Sequence, residues 1–175
     1  MRWLLAAALL CGAASSAQAV DGISLLYGQG DSVDVFAIEA RSTEWRRWQV
    51  GEGWRLSAYG IGSIANWRAR EHTENKELWD FGVAPVLRLR RATAGGAVPY
   101  LEASLGGHLL SRRRINGNRE FSTAFQFGEF IGAGLLSGAR QQLGLGLRLQ
   151  HVSNGGIKNP NPGLTYAAIT VRYEF

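Results

Sequence analysis

A histidine and a serine stand two residues apart in the C-terminal part of the chain, where His151 and Ser153 precede Asn154, Gly155 and Gly156. Serine is a weak nucleophile until a neighbouring base takes its proton, and histidine is the usual base. At this spacing on a strand the two Cα atoms lie about 6.5–7 Å apart, so an imidazole can lean toward the hydroxyl. Glycine tolerates unusual backbone angles, and amides exposed there can stabilise an oxyanion. The group indicates acyl-transfer or hydrolytic chemistry; a non-catalytic polar pair at a strand end is the alternative.

The segment that follows is rich in turn-forming residues, since residues 158–163 read Lys-Asn-Pro-Asn-Pro-Gly. Asparagine, proline and glycine favour tight turns. Such a loop can hold an amide side chain, from Asn159 or Asn161, over the histidine and serine.

The histidine and serine continue a segment whose side chains alternate between two faces. One face carries Leu143, Leu145, Leu147 and Leu149, and the other carries Gly144, Gly146, Arg148 and Gln150. This period of two is typical of a β-strand. Because His151 and Ser153 share the odd numbering of the leucines, a regular strand places both on the apolar face.

Seven other segments show the same alternation, which gives eight strands in all: residues 23–29, 33–41, 54–67, 78–90, 98–110, 121–135 and 167–175. One face carries aliphatic and aromatic residues, whereas the other carries glycine and polar residues. A small lumen filled by polar side chains, with an apolar outer surface, is typical of an outer-membrane barrel. The expected fold is therefore all-β, an eight-stranded antiparallel transmembrane β-barrel of the bacterial outer membrane. A soluble barrel with reversed faces is the alternative, because alternation alone does not show which face is inside.

The start of the chain has the pattern of a cleaved export signal. Arg2 precedes an apolar run over residues 3–10, and the small-x-small sequence Ala17-Gln18-Ala19 follows. These are the three parts of a secretory signal. We expect residues 1–19 to be a signal peptide and residues 20–175 to form the barrel.

Composition narrows the chemistry further. The only cysteine, Cys11, lies in the predicted signal, which excludes a disulfide framework, a thiolate zinc site and a cysteine nucleophile from the exported domain. Three scattered histidines show no metal-ligand spacing, so no metal site is expected. Without Arg2 the chain has 18 basic and 14 acidic residues, and this net charge of +4 fits an anionic membrane surface or a nucleic acid. Export favours the membrane, and we expect no nucleic-acid partner.

Both chain termini of such a barrel normally lie in the periplasm, so alternate connections face the cell exterior. The exterior connections are expected around residues 30–31, 69–75, 112–119 and 154–163. The third of them carries Arg112, Arg113, Arg114 and Arg119. These arginines fit either salt bridges at the barrel rim or contacts to lipopolysaccharide phosphates, because guanidinium groups suit phosphate oxygens.

A family resemblance rests on the motif His151-x-Ser153-Asn154-x-Gly156, followed by Pro160-Asn161-x-Gly163 and a final aromatic strand. This pattern resembles the outer-membrane lipid A 3-O-deacylases of the PagL type, and the resemblance extends to residues 99–103 and 127–134. It implies a serine esterase that hydrolyses the 3-position ester-linked acyl chain of the lipid A of lipopolysaccharide, without a metal or an organic cofactor.

The resemblance also implies a role for each matching residue. Ser153 is the implied nucleophile and His151 the implied general base. Implied contacts to the oxyanion or the substrate are Asn154, Gly155, Gly156, Asn161 and Phe127.

The match departs from the family at the third catalytic residue, a glutamate, whose matching position holds Thr165. Threonine can accept a hydrogen bond from the imidazole, but it cannot stabilise the imidazolium by charge. Glu129 is a substitute acid with outward parity. A hairpin centred on residues 137–140 pairs His151 with residues 125–127, which would leave Glu129 a step or two further down the barrel. A dyad supported by Thr165 and a triad with Glu129 both stay open.

The rival interpretation is a small outer-membrane barrel without catalytic activity, with a structural or adhesive role, since one fold can host both. The His151–Ser153 pair and its loop favour the esterase, because a purely structural barrel has no need of them. A palmitoyltransferase acting in the lumen would need inward-facing catalytic residues, against the observed parity. Outer-membrane lipids are the expected partners in each case, and a homodimer is open.

Overall fold

The computed structural model describes residues 20–70, 76–91, 96–116 and 119–175. Within these ranges the chain forms the strands β1 (Val20–Gly30), β2 (Val33–Ser42), β3 (Arg46–Gln49), β4 (Trp54–Ala69), β5 (Glu77–Arg91), β6 (Val98–Leu110), β7 (Arg114–Ile115), β8 (Arg119–Glu120), β9 (Phe125–Ser137), β10 (Leu143–Ser153) and β11 (Leu164–Glu174). No helix in this part of the chain is long and apolar enough to cross a membrane. Residues 1–19 lie outside the described residues, so the signal peptide stays a prediction.

Eight of these strands close into one antiparallel barrel. Their order is β1, β2, β4, β5, β6, β9, β10 and β11, and β11 pairs back with β1. Closure pairs the backbone amides that lipid cannot hydrate, which an open sheet would leave exposed at its edges. The prediction of an all-β, eight-stranded antiparallel barrel is confirmed.

The remaining strands are short and lie at the ends of the barrel. β3 continues the line of β2 beyond residues 43–45, because β2 pairs with residues 61–69 of β4 and β3 pairs with residues 55–58. β7 and β8 form a small hairpin between β6 and β9. The strand predicted over residues 121–135 begins later, at Phe125. The reason is that Phe121 turns inward and packs edge-to-face on the buried Trp67, with ring centroids 6.1 Å apart.

The alternating leucines of β10 face outward. Leu145 and Leu147 are 60 % and 68 % exposed, whereas Arg148 is only 6 % exposed. Residues more than half exposed continue this apolar band on the other strands: Ile38, Ile64, Val83, Leu105, Ile131 and Ile169. An apolar exterior around a polar lumen is the polarity of a membrane barrel and excludes the soluble alternative.

Ion pairs fill the lumen at the end nearer the chain termini. Glu102 accepts hydrogen bonds from Arg88 Nε and Arg172 Nη1, each at 2.6 Å. Arg148 donates two hydrogen bonds to Glu39, at 2.5 and 3.0 Å. All five side chains are buried, so each charge has its counter-charge inside the barrel.

Apolar side chains close the lumen at the opposite end, which we call the loop end. Ile115 and Phe121 enter from the connection between β6 and β9 and are fully buried. They join a cluster that includes Trp67, Val152 and Leu164. Buried side chains therefore fill the lumen at both ends.

Candidate active site

His151 and Ser153 lie at the loop end of β10, and both side chains are partly exposed on the outer surface. β10 pairs with β9 on one side and with β11 on the other. In this register His151 lies opposite Glu129 of β9 and Thr165 of β11, while Ser153 lies opposite Phe127. Three neighbouring strands thus bring the predicted site residues together on the lipid-facing side.

The histidine has a hydrogen-bond partner on β11. His151 Nδ1 lies 2.8 Å from Thr165 Oγ1. When Nδ1 carries the ring proton it donates to the threonine oxygen, and the lone pair then lies on Nε2. That tautomer is the one a general base needs. Thr165 therefore holds the imidazole in a usable orientation.

Glu129 is closer to the histidine than the sequence indicated. It pairs directly with His151, whereas the prediction placed it a step or two further down the barrel. The prediction was wrong because the hairpin turn lies later in the chain: Ser137 pairs with Leu143, so the turn is centred on Arg140. Glu129 and Thr165 consequently flank His151 from opposite sides.

Aromatic rings form a wall beside Ser153. Phe127 and Phe125 pack edge-to-face, with ring centroids 5.1 Å apart. A Cβ added to Gly155 would lie 3.1 Å from Phe127 Cδ2, so this glycine lies directly against the ring. The wall gives Ser153 an apolar neighbour on the side of β9.

Asn154 organises the loop of residues 154–163 instead of facing outward. Its side chain is fully buried, and its Nδ2 donates to Ser122 Oγ at 2.8 Å and to the Lys158 carbonyl at 2.7 Å. Its Oδ1 accepts from the Gly156 amide at 2.9 Å. Its own backbone amide donates to Asn161 Oδ1 at 3.0 Å. In this arrangement the Asn154 side chain has no access to a substrate, which differs from the expected role.

The donors near the serine are fewer than the sequence suggested. The Gly155 amide lies 3.5 Å from Ser153 Oγ, and Gly155 has a φ of 64°. The Gly156 amide is already used by Asn154. Asn161 is fixed through its Oδ1, and its Nδ2 group can still donate. The candidate oxyanion donors are therefore the amide of Gly155 and the side chain of Asn161.

Gly163 supports the histidine from the loop end. Its φ of 60° favours glycine, and an added Cβ would lie 2.8 Å from His151 Cε1 and 3.2 Å from Nε2. Any side chain at this position would push the imidazole away.

We expect Gly163→Ala to lower the rate of the site's reaction by about tenfold or more, because displacing a catalytic group by about 1 Å costs up to 100-fold. Gly51→Ala is the matched control, since Gly51 lies between β3 and β4, also has a positive φ, 76°, and an added Cβ there meets nothing within 4 Å. Both purified variants are assayed side by side. Equal rates in the two would contradict a supporting role for Gly163.

A charged clasp, formed by Asp31 and Arg119, holds the start of β11. Asp31 Oδ2 accepts from the Thr165 amide at 2.9 Å and lies 3.4 Å from Arg119 Nη1. Arg119 also donates to the Gly163 carbonyl. The clasp thereby fixes both residues that contact the imidazole, Gly163 and Thr165. The sequence contained no usable signal for it, because its members come from connections far apart in the chain.

The family of this chain follows from comparison with known proteins. Residues 34–174 match the model of a family described as lipid A 3-O-deacylase (PagL). The chain belongs to this family.

Two relatives named lipid A deacylase PagL share 31 % identity with the chain. The relative from Bordetella bronchiseptica aligns over 169 residues, 96 % of this chain and 91 % of its own length. The relative from Pseudomonas aeruginosa aligns over 171 residues, 94 % of each chain.

Solved structures agree with this membership. The crystal structure of the outer membrane enzyme PagL superposes with a TM-score of 0.76 at 25 % identity, covering 88 % of this chain and 99 % of that one. Neisserial surface protein A superposes with a TM-score of 0.53 at 13 % identity, which concerns the fold alone. This PagL-family chain is an outer-membrane barrel.

An apolar groove runs down the outer surface directly beneath the histidine. Leu149, Ile131 and Ala167 line it, and each is the next outward residue on its strand after His151, Glu129 and Thr165. The small side chains of Ala133 and Ala167 form a depression between larger aliphatic residues: Leu101, Ile131, Leu147 and Leu149. The groove is open to the membrane.

A second histidine–carboxylate pair lies inside the lumen. His108 Nδ1 lies 2.8 and 3.0 Å from the carboxylate oxygens of Asp80, and both residues are buried. The Nε2 edge of His108 faces Gly128, where an added Cβ would lie 2.2 Å away. The adjoining cavity, of about 10 Å³, holds no more than a water molecule. This pair has a structural role and no access for a lipid.

The rim arginines are mostly engaged with the protein. Arg114 pairs with Glu120, Arg119 pairs with Asp31, and Arg113 donates to the Ser122 carbonyl at 3.2 Å. Of the two interpretations of this cluster, salt bridges and hydrogen bonds at the rim account for these three.

Among the described residues, no three or more His, Cys, Asp and Glu side chains form a group that could hold a metal ion.

Proposed function

We propose that this barrel hydrolyses the 3-position ester-linked acyl chain of lipid A, with Ser153 as the nucleophile and His151 as the general base. The observation that carries the proposal is the position of the pair: both side chains lie on the lipid-facing surface, and His151 is oriented by its 2.8 Å contact with Thr165. The non-catalytic alternative gives no reason for this constellation.

The first half of the reaction forms an acyl-enzyme. His151 Nε2 takes the proton of the Ser153 hydroxyl as its oxygen attacks the ester carbonyl carbon. The Gly155 amide and the Asn161 side chain donate to the oxyanion that forms. When the intermediate collapses, the bond to the sugar oxygen breaks, and His151 returns its proton to that oxygen. The sugar leaves with a free 3-hydroxyl group.

The second half releases the fatty acid. Water replaces the sugar, His151 takes one of its protons, and the hydroxide attacks the acyl-enzyme carbonyl. As the second intermediate collapses, its bond to the Ser153 oxygen breaks, His151 returns its proton to that oxygen, and the carboxylic acid is released. Every proton moves between the chain, the substrate and water, so the proposed mechanism requires no cofactor.

The outer surface suits a lipid substrate. Acyl chains of lipid A lie beside the barrel in the outer leaflet, so an outward-facing serine meets an ester at the membrane interface without lifting the lipid out. The groove that begins at Leu149, Ile131 and Ala167 continues toward the membrane centre, in the direction of an acyl chain. Because lipid tails are as apolar as these side chains, the groove orients an acyl chain by van der Waals packing and not by removing it from water.

Mass spectrometry of lipid A tests the proposal. Lipid A is extracted from cells that make the protein in their outer membrane and from matched cells that do not. We expect the loss of one ester-linked 3-hydroxyacyl chain, with the amide-linked chains intact. Unchanged lipid A in cells with abundant folded barrel would contradict the enzyme and favour a structural or adhesive role.

A further inference from the structure

We infer that Glu129 provides the negative charge that stabilises the His151 imidazolium, while Thr165 only orients the ring. The inference rests on the proposed function, since it concerns the same reaction. In a serine–histidine–acid triad the acid both orients the histidine ring and stabilises its positive charge. Here β11 provides the orientation and β9 the charge, on opposite sides of the histidine. Glu129 acts through His151 and is a positioning residue, not a catalytic one.

The register places Glu129 directly across from His151 on the adjacent strand. Glu129 and His151 are directly paired on adjacent antiparallel strands and face outward together. The Cβ atoms of such a pair lie about 4.5–5.5 Å apart, within reach of a glutamate side chain. On its other side Glu129 pairs with Leu105 of β6, which is 60 % exposed, and along its own strand the outward neighbours are Phe127 and Ile131. His151 is the one polar residue among these outward neighbours.

Glu129 is an acidic side chain on a lipid-facing surface, where such residues are rare. Ionisable side chains that face lipid are costly, and where they persist they mark a function and pair with a specific partner. Among the ion pairs of the described residues Glu129 takes part in none, whereas the nearby Asp31 is balanced by Arg119. Glu129 is therefore the one uncompensated carboxylate next to His151, and the cation that forms on His151 during the reaction supplies its counter-charge.

Thr165 is neutral and cannot stabilise the His151 imidazolium by charge. Thr165 lies 2.8 Å from His151 Nδ1 and fixes the ring, but it has no charge to offer the imidazolium. An electrostatic contribution needs no hydrogen bond and grows as the surroundings become less polar, as they are beside Leu105 and Phe127. When Ser153 transfers its proton to Nε2, the ring becomes positive directly across from Glu129. When the leaving oxygen takes that proton, the ring is neutral again.

The first test is Glu129→Gln, which removes the charge and keeps the shape. We expect kcat for deacylation of lipid A in mixed micelles to fall about 10- to 100-fold, with little change in KM, because the interaction develops only as the imidazolium forms. Glu77→Gln is the matched control, since Glu77 is an exposed carboxylate on β5 paired with Arg68, away from the site. It should keep the activity of the unmodified protein.

The second test moves the charge to the other side of the ring. Thr165→Glu in the Glu129→Gln background returns a carboxylate next to His151 and should restore kcat at least tenfold over Glu129→Gln alone. In the unmodified background the same substitution should change kcat much less. A packing role of Glu129 predicts no such rescue from a different strand.

Two results would overturn the inference. One is a folded Glu129→Gln variant with unmodified kcat, and the other is a loss of activity that Thr165→Glu fails to restore in a folded barrel. Either leaves the proposed function intact as long as the unmodified protein releases the acyl chain and Ser153→Ala does not. Absence of activity in the unmodified protein is the separate result that contradicts the proposed function itself.

Discussion

Replacing Ser153 by alanine is expected to abolish release of the acyl chain from lipid A, with a fall in rate of about 1,000-fold or more. The substitution removes the oxygen that is proposed to form the acyl-enzyme and leaves the Cβ in place. Ser153 lies at the end of β10, and its hydroxyl makes only a long contact, 3.5 Å from the Gly155 amide. The barrel should therefore fold normally, and lipid A from cells carrying the variant should keep its full mass.

The control and the companion variant separate mechanism from folding. Ser137→Ala removes an exposed serine at the other end of the neighbouring strand β9 and should leave the activity unchanged. His151→Ala should lose about as much rate as Ser153→Ala, and the double variant should be no worse, because the two residues act as one unit. A folded Ser153→Ala barrel that still deacylates lipid A would show that Ser153 is not the nucleophile.

Side-chain alternation, together with the polarity of the two faces, predicted the architecture and the face that carries the site. Each strand shows a period of two, and a single parity argument placed His151, Ser153 and Thr165 on one apolar surface, as the structure does. Alternation is a local property, so the face on which a residue lies can be predicted even when the predicted ends of its strand are wrong. The eight-stranded barrel and the outward position of the pair follow from it.

Register was harder to predict, because it depends on the centre of one turn. Shifting the turn between β9 and β10 by one or two residues moves every cross-strand pair, and the sequence offered several glycine and polar residues that suit a turn. Gly138 and Gln141 have positive φ values of 90° and 60°, and the Gln141 amide donates to the Gly138 carbonyl at 3.0 Å. The centre of that turn lies later in the chain than expected, at Arg140, and this register brings Glu129 opposite His151.

Loop side chains were the least predictable part of the site. The motif suggested that Asn154 faces the substrate, but its buried amide holds Lys158 and Ser122 instead. The clasp of Asp31 and Arg119 forms across connections that are distant in the chain. Such contacts depend on three-dimensional neighbours, so spacing along one segment cannot reveal them.

Glu102 is the centre of the charge network in the lumen. Glu102 is 5 % exposed and accepts hydrogen bonds from Tyr59 at 2.5 Å, from Arg88 at 2.6 Å and from Arg172 at 2.6 and 2.9 Å. We expect Glu102→Ala to lower the free energy of unfolding by about 3–5 kcal/mol, because it leaves two buried guanidinium groups without this counter-charge. Glu102→Gln keeps an oxygen acceptor and should cost less.

Urea unfolding of the purified barrel in lipid vesicles, followed by tryptophan fluorescence, measures the change. Glu77→Ala is the matched control, because its exposed pair with Arg68 contributes only about 0–1 kcal/mol. The midpoint should shift strongly for Glu102→Ala and hardly at all for Glu77→Ala. Equal midpoints for the two variants would mean that the lumen ion pairs do not hold the barrel together. In that case, the rigidity of the surface that carries His151 and Ser153 would have to come from the backbone ladders between the strands.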